Sequence, residues 1–410
     1  MPVRASSGRP STPHCGSLTV VEEFSDEVQS SSNEAVTSCT TRRSSSSPWG
    51  TTVLRNAWGI LRKLEIGDRI PYRASGSLHN DSSTSADRNE LVVEYSMDSI
   101  FEGLLPALVL PFDPTGNIDA ASFSRLASRV ASVPGVSGVV VNGHAGEVTS
   151  LDFEERRTVV ELAADSLAGR LPIISGVAAE TPGEAVEHAA AAKAAGAAAL
   201  LVLPPHLWLI GRDPGAAQKF FRVLTNEVNL PIVVFQYPDK WGGARYSHEE
   251  LLDITALPGI AAVKDASWEI SDYEEDYRML KAERPHIRVL SANDEHILTS
   301  FVIGADGALL GFGSIAAALI SEILDSIGRN DLARARSADE RLYPLTKAFY
   351  KTEPRARMHT RIKHALAVLG AIDSDTVRQP LQPLSSQEKA AVRDALEQAG
   401  LLQGSIDQPA

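Results

Sequence analysis

Gly259-Ile-Ala-Ala-Val-Lys-Asp265 is a short apolar run opened by a glycine and closed by a lysine and an aspartate. An apolar run without polar alternation reads as a strand covered on both faces, as in a parallel sheet. Seven similar runs flank it. Leu104–Phe112, Val136–Gly143, Pro172–Val177, Ala198–Leu203 and Ile232–Tyr237 precede it; Ile287–Ser291 and Gly307–Leu310 follow. Helix starts stand between them. Thr181-Pro-Gly-Glu184, Ser247-His-Glu-Glu250 and Ser271-Asp-Tyr-Glu274 fit the capping box, and Asp213-Pro214 pairs an N-cap residue with proline at the first helical position. Eight strand–helix units in roughly 220 residues specify an α/β chain folded as a closed (β/α)8 TIM barrel rather than an open sheet. From Ile315 to about Leu401 the pattern is helical, which predicts the eighth barrel helix and a C-terminal helical appendage.

The chain has 410 residues, enough for two or three average domains or one large barrel with additions. Its net charge of -13 argues against nucleic acid as a partner, because a phosphate-binding surface needs a positive footprint. No apolar run reaches the roughly 18 residues of a membrane helix; Ala194 to Pro205 comes nearest and ends in Pro-Pro. The expectation is a soluble, cytoplasmic protein that engages no membrane. Cys15 and Cys39 are the only cysteines, so the main body holds neither a disulfide framework nor a thiolate metal site.

Composition shifts near residue 97. The residues before it are Ser/Thr-rich and read as a disordered extension over 1–97. Within it, Val53, Leu54, Ala57, Trp58, Leu61 and Leu64 recur at helical spacing, which predicts a marginal helix. Met97 stands where order should begin and is expected to be the native start, which the intact mass of the natural protein would check. The barrel is then expected over 98–325, the C-terminal helices over 326–402 and a short tail over 403–410.

A barrel of this kind carries its active site at the C-terminal ends of its strands. The runs end in Gly143-His-Ala-Gly-Glu147, Pro204-Pro-His206, Phe235-Gln-Tyr-Pro238, Val263-Lys-Asp265, Ser291-Ala-Asn-Asp294 and Gly311-Phe-Gly-Ser314. Lys264 is the most informative. At the end of an apolar strand its amine is carried into the barrel mouth, where desolvation favours the neutral form that attacks a carbonyl. A lysine snorkelling to solvent is the alternative. Gly311-Phe-Gly-Ser314 is read as a turn rather than a phosphate site.

Several segments resemble the dihydrodipicolinate synthase / N-acetylneuraminate lyase family of Schiff-base aldolases. They are Leu105–Phe112 with Gly116-Asn-Ile-Asp119; Gly143–Glu147 followed by Leu151 and Glu154-Glu-Arg156; Ile174-Ser-Gly-Val177; Gly259–Asp265; and Val377-Arg-Gln-Pro-Leu381. They cover residues 100–402 in order. The resemblance implies a TIM-barrel lyase, a homo-tetramer or homo-dimer, whose Lys264 forms an imine with pyruvate or a related 2-oxo acid. The only cofactor-like element it implies is that covalent imine, and no metal.

The sequence also departs from the family pattern. Where the family's strand-two turn reads Gly-Thr-Thr-Gly-Glu, this chain has His144 and Ala145 between Gly143 and Gly146. The amides of such a turn cradle a carboxylate without side chains. His144 is a candidate acid–base group or a histidine packed at the rim. Phe235 stands at the family's strand-five tyrosine, and Tyr237, two residues on and on the same face, either supplies the phenol from a shifted position or is a core aromatic. Lys240 falls where dihydrodipicolinate synthases place an arginine for the aldehyde co-substrate; it keeps the charge and loses the bidentate fork. His206 follows Pro205 where a tyrosine usually follows strand four. Trp208, Trp241 and Trp268 come after strands four, five and six, and would suit a bulky or aromatic second substrate half or a subunit interface. The expected function is a Schiff-base lyase acting through Lys264. The alternatives are 4-hydroxy-tetrahydrodipicolinate synthase proper, or a weakened paralogue that only binds a 2-oxo acid or acts as a scaffold.

Overall fold

In a computed structural model, residues 100–402 can be described. The readings made of the extension over 1–97, its marginal helix, Met97, both cysteines and the tail lie outside the described residues.

Eight parallel strands form the barrel: β1 (Leu104–Pro106), β2 (Val139–Val141), β3 (Ile173–Val177), β4 (Ala199–Val202), β5 (Ile232–Gln236), β6 (Ile260–Asp265), β7 (Arg288–Ser291) and β8 (Gly307–Leu310). They pair in the order β1-β8-β7-β6-β5-β4-β3-β2. The ring closes between its two ends through the bridges Leu104↔Val136 and Ala107↔Val140. The Leu108 amide donates to the Val140 carbonyl at 2.8 Å, and the Ser137 amide to Leu104 at 3.0 Å. Nearly every strand residue is buried, so the absence of alternation in the sequence has the cause inferred for it: the barrel interior covers one face and helices the other.

The runs at β1 and β2 are longer than the strands they yield. Leu104–Phe112 gives a strand of three residues because Pro106 and Pro111 have no amide to extend a ladder. Helices α1 (Ala120–Ala131), α2 (Phe153–Leu167), α3 (Pro182–Ala194), α4 (Ala216–Glu227), α5 (His248–Thr255), α6 (Ile270–Glu283), α7 (Ile297–Ile303) and α8 (Gly313–Gly328) follow the strands in turn. Ser247 and Glu250 form the expected reciprocal capping box of α5. Thr181 caps α3 through the Glu184 amide, while the Glu184 carboxylate accepts from the Glu180 amide instead. Two starts move. Helix α6 begins at Ile270, one residue ahead of the serine read as its cap. Asp213-Pro214 forms a turn, its aspartate carbonyl accepting from the Ala216 amide, and α4 begins after it.

Three further helices, α9 (Leu332–Phe349), α10 (Met358–Val368) and α11 (Ser386–Gln398), pack beyond the barrel. Their buried Leu342, Leu345, Phe349, Ile362, Leu366, Val392 and Leu396 are continuous with the main core. Among the described residues no helix is long and apolar enough to cross a membrane, and no cluster of three or more His, Cys, Asp or Glu side chains could hold a metal ion.

Candidate active site

A cavity opens at the C-terminal ends of the strands. Its wall takes Ala107 after β1, Gly143, His144 and Ala145 after β2, Phe235 from β5, Lys264 from β6, Asp294 after β7 and Gly311 after β8. Trp241, Trp268, Met358 and His359 line its mouth.

Lys264 reaches the cavity because side chains alternate along β6: Lys264 faces the axis and Asp265 faces the helices. The lysine is 9% exposed, and its Nζ lies 3.8 Å from the centroid of the Phe235 ring. Burial drives its pKa down from the ordinary lysine value, and the nearby Asp294 carboxylate partly offsets this. The Phe235 ring face favours the cation, and it favours a protonated imine in the same way.

The turn after β2 is held open by its backbone. Asn142 and Glu147 are both left-handed, at φ 55° and 54°, and between them Gly146 and Glu147 donate to the carbonyls of Gly143 and His144. The amides of His144 and Ala145 open this short 3-10 turn and have no partner within it. A side chain at Gly176 of β3 would meet the Asn142 carbonyl oxygen at 1.9 Å, so only glycine lets the two backbones approach this closely. Glu147 is buried and ion-paired with Lys363 of α10, a close Oε1–Nζ contact, and its other oxygen accepts from the Arg378 amide at 3.0 Å. Arg378 then grips Glu155 through two bonds of 2.7 Å and donates to the carbonyls of Gly116 and Ser150. The segments around residues 116, 147, 155 and 378, far apart in the sequence, are therefore one network.

His144 and Tyr237 meet: the Tyr237 hydroxyl lies 3.0 Å from His144 Nε2. The His144 imidazole also packs against the rings of Phe235, Tyr237 and Trp241 at 5.6 to 5.8 Å. Burial and the Lys264 charge push the His144 pKa down to about 3, so its imidazole is neutral. Burial raises that of the Tyr237 phenol, which stays protonated. Two neutral partners in one hydrogen bond can pass a proton in either direction.

Trp241 and Trp268 stand edge-to-face with centroids 5.0 Å apart and form the aromatic side of the mouth. Tyr237, hydrogen-bonded to His144, and Gly146 do not themselves line the cavity, and three other residues singled out in the sequence also lie away from its wall. Trp208 is buried against Phe220 and Tyr246. His206 is exposed and pairs with Glu180 at 3.0 Å. Lys240 is exposed and paired with Glu269.

Asp294 and His359 also line the cavity, and sequence reasoning gave neither a role. Asp294 Oδ1 accepts from the Phe312 amide at 3.2 Å, and burial raises its pKa. Its place at a strand end was a usable signal. His359 had none, because it comes from a helix beyond the barrel.

The dihydrodipicolinate synthetase family model matches residues 100–399. A 4-hydroxy-tetrahydrodipicolinate synthase of Erythrobacter litoralis is 34% identical over 307 residues, spanning 74% of this chain and 100% of that protein. One of Nitrobacter hamburgensis is 31% identical over 302 residues, spanning 74% and 98%. The dihydrodipicolinate synthase structure of Thermotoga maritima superimposes with a TM-score of 0.67 at 25% identity, covering 74% of this chain and all of that one. With the fold, the order of the motifs and this match along the whole barrel and its C-terminal helices, the chain belongs to the dihydrodipicolinate synthetase family and is a lyase of that family.

Proposed function

We propose that this lyase forms an imine between Lys264 and a 2-oxo acid, pyruvate being the simplest, and acts on the carbon chain of the adduct. The observation that carries this reading is a buried lysine amine of lowered pKa, set in a cavity whose opposite wall is a turn with two free amides. The Lys264 Nζ attacks C2 of the oxo acid while the amides of His144 and Ala145 hold its carboxylate, helped by Gly143 and Gly146, which keep the turn tight. The tetrahedral adduct loses its C2 oxygen as water. The departing oxygen takes two protons through the Tyr237–His144 pair, one released by the amine as it attacks and one drawn from solvent, so that the imine keeps its last proton and a positive charge. Tyr237 thus does from a shifted position what Phe235 lacks the hydroxyl to do. No cofactor enters this scheme; the covalent imine is itself the electron sink.

Incubation with pyruvate and borohydride, followed by mass analysis of the Lys264 peptide, tests the reading. A stable adduct is expected, and its absence with any common 2-oxo acid would sink the imine reading. Replacing Tyr237 with phenylalanine should slow adduct formation on the order of 10²-fold, the loss usual for a proton-transfer group. An unchanged rate would remove Tyr237 from the scheme.

The second substrate half is apolar or aromatic in this proposal. Trp241, Trp268, Phe235, Leu201 and Met358 line the cavity, no arginine among the described residues does, and Lys240 is turned outward onto Glu269. Aryl aldehydes should therefore outcompete aspartate semialdehyde and sugar acids in a panel, and the opposite ranking would favour the synthase reaction named for the relatives. A homo-oligomer belongs to the same reading. Leu207, Leu209 and Ile210 are exposed together in the segment after β4, a surface for a second copy that sedimentation would reveal.

A further inference from the structure

We propose that His359 is the base that removes, and later returns, the C3 proton of the Lys264-bound 2-oxo acid. The inference rests on the imine reading above and adds to it the step that makes the adduct a carbon nucleophile.

His359 is the second residue of α10, and its imidazole lines the cavity that holds Lys264. Within the described residues the ring makes no hydrogen bond. A Cβ at Gly311 would lie 3.2 Å from His359 Nε2, so the glycine at the end of β8 leaves the space that this nitrogen faces. A half-buried imidazole with no hydrogen-bond partner among the described residues, lining the cavity that holds an amine, is free to exchange a proton with a molecule bound there.

Its place follows from the substituents of C2. In the tetrahedral adduct C2 bears the Lys264 nitrogen on the β6 side, and the carboxylate lies toward the β2 turn across the barrel. The oxygen leaves toward Tyr237 on the β5 side. C3 is the remaining substituent and points to the opposite flank, where Asp294, Gly311 and His359 stand.

Charge balances along this route. Burial and the Lys264 and Lys363 charges push the His359 pKa down to about 3, so the free imidazole is neutral and can accept. The imine carries a positive charge. When a C3 proton moves to His359, the C3–H electron pair forms the C2–C3 double bond, and the C2–N pair returns to nitrogen. The iminium becomes a neutral enamine as the imidazole becomes imidazolium, so the cation moves and is not duplicated. The proton then returns to C3 in futile exchange, or to the carbonyl oxygen of a second substrate when a carbon–carbon bond forms.

Deuterium exchange into the pyruvate methyl group in heavy water reads this step without any second substrate. It is followed by NMR beside borohydride trapping for the wild type, His359→Asn, His359→Gln and Asp294→Asn. The His359 variants are expected to trap pyruvate at the wild-type rate and to exchange on the order of 10²-fold or more slowly. Exchange within threefold of wild type would overturn the proposal. So would a parallel fall of trapping and exchange, which marks a structural role. Exchange lost in Asp294→Asn but kept in His359→Asn would move the base to Asp294. Failure of the wild type to form any adduct would remove the imine reading itself; an adduct with undisturbed exchange in the His359 variants would remove this step alone.

Discussion

Lys264→Met should yield a folded protein that forms no borohydride-trapped adduct with pyruvate and shows no turnover above background. The loss is at least on the order of 10⁴-fold, as when other covalent nucleophiles are removed. Methionine matches the apolar stem, so the fold is kept while the amine and its contact with the Phe235 ring are lost. For the wild type, the rate of adduct formation should rise with pH as the ammonium gives up its proton. Because burial lowers the Lys264 pKa, the midpoint should fall below the 10.5 of an ordinary lysine. A midpoint at or above 10.5 would show that the amine is solvated, and the site would then be misassigned.

Glu147→Ala should be the most destabilising single change near the site, lowering the unfolding free energy by about 3–5 kcal/mol. It strands Lys363, whose side chain is fully buried, with the Thr376 carbonyl at 2.9 Å and the Phe112 ring, its centroid 4.1 Å from Nζ, as the contacts left to it. Burial already lowers the Lys363 pKa to about 8, with Glu147 opposing that shift. Without Glu147 the amine can shed its proton, which at pH 7 costs about 5 kcal/mol relative to the unfolded chain. Glu147→Gln, which keeps an acceptor for the Arg378 amide, should lose less. Glu147→Leu combined with Lys363→Met should recover most of the stability, since replacing both partners removes the uncompensated charge. Urea denaturation of the three variants checks the order; equal midpoints would mean that the pair is not closed in solution.

The barrel was legible because its signal is repetitive: eight apolar runs, each buried on both faces, separated by capped helix starts. Lys264 was legible because the alternation along one strand fixes which way a side chain points. Tyr237 and His144 could be named separately, but their hydrogen bond joins residues 93 positions apart, and nothing periodic links them. Lys240, His206 and Trp208 were read from loop positions, where direction depends on local turns and on partners such as Glu269, Glu180 and Phe220 rather than on a repeating pattern. His359 was hidden for a different reason. The helical periodicity of α10 shows which face is buried, but not that its first turn sits over the barrel mouth.

The ion pair between Glu147 and Lys363 spans 216 positions, and the bond from the Arg378 amide spans 231. During synthesis all eight strands emerge before either partner exists. Until residue 359 has left the ribosome the cavity lacks the imidazole of α10, until residue 363 the turn after β2 lacks both groups that clamp its glutamate, and until residue 378 it still lacks the second of them. A nascent chain with a complete barrel is therefore not yet an enzyme. The same dependence makes the last stretch of the chain a point of control: one proteolytic cut between α10 and Arg378 would disarm a barrel whose strands remain intact.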